Sequence, residues 1–131
     1  MRIMVIDTSA LLAAVLDEPE KGRLIELTQG VELLAPDSLH WEVGNALSAL
    51  FKRGRLTLKN AKVAVGIYRQ IPVHLVEVDL EKALEIAHES GIYAYDAYMI
   101  TCALTHKAPL LTLDARLRKK ALSYGISVVE V

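Results

Sequence analysis

Apolar residues in this chain fall alternately into short unbroken runs and into longer stretches with helical spacing, and that alternation predicts the fold class. Ile3 to Ile6 is four apolar residues in a row, too few for a helix and suited to a strand buried on both faces, ended by Asp7. Thr8 or Ser9 is placed to cap the helix that follows through Leu11, Leu12, Val15 and Leu16. Pro19 marks a new helix start, Leu24, Ile25 and Leu27 form its apolar side, and Gly30 closes it. Val31 to Ala35 reads as a second strand stopped by Pro36, with Asp37 or Ser38 capping a helix from about Leu39 to Arg53. Its buried stripe is Leu39, Val43, Ala46, Leu47 and Leu50, with Glu42 and Asn45 along one edge. Thr57 then caps a fourth helix running to Gln70, ended by Pro72.

The second half repeats the same grammar. Val73 to Val78 is a third strand, and Asp79 caps a fifth helix that runs to Gly91. A sixth helix begins near Tyr95-Asp96 and is apolar nearly all round, which predicts a central buried position. After Pro109, Leu110 to Asp114 is again a short apolar strand followed by an acid. The last helix spans Ala115 to Tyr124, and Gly125 releases the chain into a final strand, Ile126 to Val131. Strands and helices alternate throughout, so the expected fold is a three-layer α/β/α sandwich with a mainly parallel sheet of about five strands. With no internal repeats or low-complexity segments, residues 1–131 read as a single domain.

Composition sharpens this picture. At 131 residues the chain is long enough for a core without disulfides or a structural metal. A hydrophobic share of 53% is high, which implies two-sided burial or a further apolar interface and leads us to expect an oligomer. The net charge of -1 exerts no global pull on nucleic acid, so a phosphate-rich partner needs a local basic patch or a metal. Cys102 is the only cysteine, which excludes an intramolecular disulfide and a cysteine-based zinc site and points to a reducing cytoplasm. Asp7 interrupts the apolar start, so a signal peptide is not expected, and the other apolar runs fall short of the roughly 20 residues a membrane span needs.

Four acids are not comfortably absorbed by capping or solvation: Asp7, Glu42, Asp96 and Asp114. Asp7 and Asp114 end strands, Asp96 heads a buried helix, and Glu42 flanks the inward stripe of another, so all four can face one end of the sheet. A plain helix cap is the competing use of Asp7. Like charges gathered in a partly buried cleft are costly unless a cation neutralises them. Carboxylates with waters suit Mg²⁺ or Mn²⁺, and the absence of nearby His or Cys argues against zinc. Ser9, Asn45 and Thr112 are placed to orient the acids or bound waters. His40, His74, His88 and His106 lack ligand spacing and read as structural or surface residues, while Trp41 reads as core cover or a subunit contact, with stacking on a base beside Glu42 as the alternative. Two basic clusters are candidates for backbone contacts: Lys52, Arg53, Arg55 with Lys59, and Arg116, Arg118, Lys119 with Lys120.

Asp7-Thr8-Ser9, Glu42-Val43-Gly44-Asn45-Ala46-Leu47, Tyr95-Asp96-Ala97-Tyr98 and Thr112-Leu113-Asp114 resemble, in order, the successive motifs of the PIN-domain nucleases. The likeness covers the whole chain, whose length resembles in particular the VapC toxins of type II toxin-antitoxin systems. The resemblance implies a PIN-like fold and a Mg²⁺-dependent ribonuclease that hydrolyses RNA phosphodiesters with a metal-activated water. It makes Asp7, Glu42, Asp96 and Asp114 the catalytic and metal-binding quartet, supported by Ser9, Asn45 and Thr112. It further implies a homodimer and a cognate antitoxin protein as partner. A receiver domain would need an acidic pair after the first strand, and a haloacid-dehalogenase-type phosphatase a second Asp where Ser9 stands. The stronger rival is a PIN-like module that binds RNA or protein without cutting.

Overall fold

In the computed structural model, which describes residues 2–131, the first apolar run forms strand β1 (Arg2–Ile6), with Met4, Val5 and Ile6 buried. Helices α1 (Thr8–Val15) and α2 (Lys21–Thr28) lead to β2 (Val31–Pro36). Helices α3 (Leu39–Lys52) and α4 (Leu58–Gln70) lead to β3 (Val73–Val76). Helices α5 (Leu80–Ser90) and α6 (Ala94–His106) lead to β4 (Leu110–Leu111), and α7 (Ala115–Ser123) follows.

All pairings are parallel, in the order β3-β2-β1-β4, so β1 is paired on both edges. The chain steps from β1 to β2 to β3 in one direction and from β3 to β4 in the other. Right-handed crossovers therefore put α1 to α4 on one face of the sheet and α5 and α6 on the other, the expected three layers. Helix α6 packs on both β1 and β2, and Ala97, Met99, Ile100, Thr101, Cys102 and Ala103 on it are buried. This is the central helix that its all-round apolar pattern predicts.

Among the described residues the sheet has four strands, against the expected number of about five. Ile126 to Val131 contributes an isolated bridge between Val128 and Leu110, with Leu110 N–H donating to Ser127 and Val129 N–H donating to Leu110. Strand β4 is two residues long, so a neighbour has no longer ladder to extend. Two caps also differ from expectation. Asp7, not Thr8 or Ser9, caps α1: its backbone is extended and its carboxylate accepts the Ala10 N–H. Ser38 occupies the cap position of α3, but its hydroxyl bonds Glu42 instead of the backbone. Thr57 and Asp79 cap α4 and α5 as expected, accepting from Asn60 and Lys82.

Ile100 is fully buried at the centre of α6, whereas Leu84 on α5 is 53% exposed. Ile100→Ala is expected to cost about 2–5 kcal/mol, read as a lower urea midpoint at constant slope. Leu84→Ala should stay within about 0.5 kcal/mol.

Candidate active site

The site begins where β1 runs out. Ile6 pairs with Leu111 of β4, and the Asp7 N–H continues that ladder by donating to the Leu111 carbonyl, so the next step places Asp7 beside Thr112. The connections after β1 and β4 leave in opposite directions, and the gap beyond the carboxyl ends of two such strands is where open α/β sheets bind ligands. Asp7 is 4% exposed. Thr112 Oγ1 donates to its Oδ2 at 2.5 Å, and Ser9 Oγ lies 2.8 and 2.9 Å from its two oxygens. Each hydroxyl also accepts a backbone N–H from beyond β4, Ser9 from Leu113 and Thr112 from Asp114. The turns after β1 and β4 are thus tied into one unit around a single carboxylate.

The other three acids surround this unit. Asp114 caps α7, its Oδ1 accepting from Arg116 and Leu117 N–H while Oδ2 has no bond among the described residues. Glu42, in the first turn of α3, accepts from Ser38 at 2.9 Å and from Thr8 at 3.3 Å. Asp96, in the first turn of α6, accepts no side-chain or cap hydrogen bond among the described residues. Burial is the main force raising the carboxyls of Asp7, Glu42 and Asp96 above the ordinary range. Hydroxyl and N–H donors partly offset it at Asp7 and Glu42. The remaining push is mutual: Asp114 acts on Asp7 and Asp96, and Asp7 and Asp96 act on Glu42. Arg116 pulls the other way at Asp96.

The acids form no salt bridge with any described residue. Nor do any three His, Cys, Asp or Glu side chains among the described residues converge into a direct chelating set. The donors are all oxygen and carry unneutralised negative charge, a set that fits a hard cation retaining part of its water shell. A cleft of about 220 Å³ opens beside Asp96 and Asp114, walled by Tyr93, Arg116 and Lys120.

Ser9 and Thr112 lie against Asp7 and are bonded to it, whereas Asn45 lies apart from the acids. It is exposed and makes no side-chain bond among the described residues, because it lies about 200° around α3 from the buried Val43 whereas Glu42 lies about 100° away. Trp41 is 72% exposed, so it does not cover the core. The histidines stay apart from the acids: His40 contacts Tyr68, and His74 pairs with Glu32. Cys102 is buried, its thiol pushed up to about 11 by desolvation. Ser38 and Thr8, read from the sequence only as caps, prove to be the partners of Glu42; the four-residue spacing of Ser38 and Glu42 on one helix is the signal that marks the first of them.

The sequence model of the PIN domain matches residues 4–122. The chain belongs to the PIN domain family. Solved PIN-like structures superpose on nearly all of it. PAE2754 from Pyrobaculum aerophilum is 25% identical, with a TM-score of 0.71 over 92% of this chain and 79% of that one. VapC20 from Mycobacterium tuberculosis, described as a Sarcin-Ricin loop cleaving toxin, is 14% identical with a TM-score of 0.67, covering 98% and 99%. VapBC2 from Rickettsia felis, solved bound to a DNA fragment from their promoter, is 13% identical with a TM-score of 0.66, covering 97% of each chain. The last two likenesses are of fold. No curated protein matches the sequence.

Because the folded PIN domain holds Asp7 protonated more readily than the unfolded chain does, the favourable contribution of that group is present at low pH and is lost as pH rises through its raised value. In chelator, the melting temperature of Asp7→Asn minus that of the wild type should therefore grow from the ordinary carboxylate range toward neutral pH. A flat difference in thermal melts across that range would remove the cost assigned to this carboxylate.

Proposed function

We propose that this PIN protein is a Mg²⁺-dependent endoribonuclease of the VapC toxin type, with residues 1–131 acting as one PIN-like unit. The observation that carries the reading is the gathering of Asp7, Glu42, Asp96 and Asp114 around the sheet's switch point with no salt bridge to any of them among the described residues. Capping of α1 and α7 uses Asp7 and Asp114, but it does not require that Glu42 and Asp96 join them, since a partly buried like-charge cluster lowers stability.

Asp7, Asp96, Asp114 and Glu42 would hold Mg²⁺, or Mn²⁺ in its place, which when bound supplies neutralising charge and acidifies a water for attack on phosphorus. The chain's own part is orientation. Thr112 and Ser9 fix the Asp7 carboxylate and favour its ionised form, and Ser38 and Thr8 do the same for Glu42. Asp96 and the free Oδ2 of Asp114 are the oxygens with least protein engagement, facing the cleft where a substrate would enter.

The description of VapC20 supports RNA as substrate, and that of VapBC2 supports a cognate antitoxin protein as partner. Val63 and Ile67, one turn apart, leave exposed apolar side chains on one face of α4, which supports a homodimer. No helix of the described residues is long and apolar enough to cross a membrane, and the lone buried thiol suits a cytoplasmic setting. The absence of a tight chelating triad favours a second reading, a PIN-like module that binds RNA or protein without cutting.

Incubating the protein with structured and unstructured RNAs, with Mg²⁺ and with chelator, separates the two. Cleavage should require the metal, and Asp7→Asn or Asp96→Asn should slow it by roughly 100-fold or more, about 3 kcal/mol of barrier. Undiminished cleavage by both variants excludes these acids from catalysis. Millimolar Mg²⁺ or Mn²⁺ should also raise the melting temperature of the wild type, as any ligand of the native state does, and do so less for Asp96→Asn. Scanning calorimetry with no shift at all would count for the non-catalytic module.

A further inference from the structure

The cleft beside Asp96 and Asp114 carries three further features. Arg116 stands in the first turn of α7, where the helix dipole favours acids and where this helix has none. Lys120 follows one turn later, so both cations share one face of the helix and one wall of the cleft. Among the described residues neither is in an ion pair, although two carboxylates line the same cleft. Tyr93 is 86% exposed where it lines the cleft, holds the cap position of α6 without a side-chain capping bond, and its hydroxyl makes no hydrogen bond among the described residues. A second depression, by Ser38 beside Glu42, has the opposite charge: Asp37 and Glu77 line it.

We propose that the cleft of Arg116, Lys120 and Tyr93 is a nucleotide subsite, in which a single-stranded RNA flanking the scissile bond lays a phosphate against the two cations and stacks a base on the tyrosine. The assignment rests on the ribonuclease reading above. The two basic side chains supply the charge that a chain of net charge -1 lacks globally, and they supply it within one cleft of the acids. An exposed ring next to a phosphate-binding pair is the arrangement that holds unpaired bases without reading their sequence. The acidic depression by Ser38 repels phosphate, so the strand is anchored firmly on the α7 side of the scissile bond and weakly on the other.

The test uses the full chain and a short fluorescein-labelled single-stranded RNA of mixed sequence, followed by anisotropy in chelator over a salt series. Arg116→Ala and Lys120→Ala should each take about 0.7 from the steepness of log affinity against log salt. Tyr93→Ala should weaken binding at least about fivefold, and Tyr93→Phe should bind as the wild type does. Lys82→Ala, a cation of α5 outside this cleft, should leave the slope unchanged. An unchanged slope in the Arg116→Ala/Lys120→Ala double variant overturns the subsite. So does tighter binding of a labelled oligoglutamate peptide than of the RNA, if it is lost in the same double variant, because the cleft would then be an acidic-peptide site. Cleavage with Mg²⁺ keeps the two readings apart. Full activity of the double variant removes the subsite and leaves the nuclease, whereas the binding losses in a wild type that cuts no RNA leave the subsite and remove the nuclease.

Discussion

A carboxylate with almost no exposure, held by two hydroxyls and one amide, is the constraint on which the working end of this molecule depends. Removing Asp7 from water is unfavourable, and the three donors only partly offset the penalty. What the arrangement gains is rigidity. Ser9 and Thr112 each give a hydrogen bond to Asp7 and take one from a backbone N–H beyond β4, so the turn after the first strand cannot move independently of the turn that positions Asp114. The order of the sheet makes this possible, because β1 and β4 are neighbours whose chains depart to opposite sides.

Stability and chemistry pull apart here. The core is ordinary: α6 buries a nearly continuous apolar surface against β1 and β2, and the buried hydroxyl near its centre, Thr101, is satisfied by donating to the Ala97 carbonyl one turn back. Unfavourable terms are concentrated at the carboxyl ends of the strands, where three acids sit with raised pKa values and, among the described residues, form no salt bridge. A sequence selected for stability alone would place amides or hydroxyls there.

Most of the layered fold is legible in the sequence, because a strand buried on both faces leaves an unbroken apolar run and an amphipathic helix leaves a stripe. The acids are legible for a related reason: an aspartate that stops such a run must lie at the strand's end. The edges are less legible. Whether Ile126 to Val131 forms a strand depends on the length of β4, which is a property of the neighbour. The α1 cap went to the carboxylate, and Ser9 instead bonds that carboxylate and accepts the Leu113 N–H from the neighbouring strand's turn, a contact that sequence proximity cannot reveal. Asn45 lies near Glu42 in the sequence yet turns away from the stripe, and only the angular position along α3 shows it.

The bond between Thr112 and Asp7 joins residues 105 positions apart. During synthesis β1 emerges early, yet its partner on that edge is made after six helices and two further strands have left the ribosome. A contact of such separation closes late, since the entropy of the intervening loop must first be overcome by packing. The nascent chain can therefore carry much of the sheet and core while its four acids are still apart, and it completes its charged pocket only after β4 and the turn beyond it have been made.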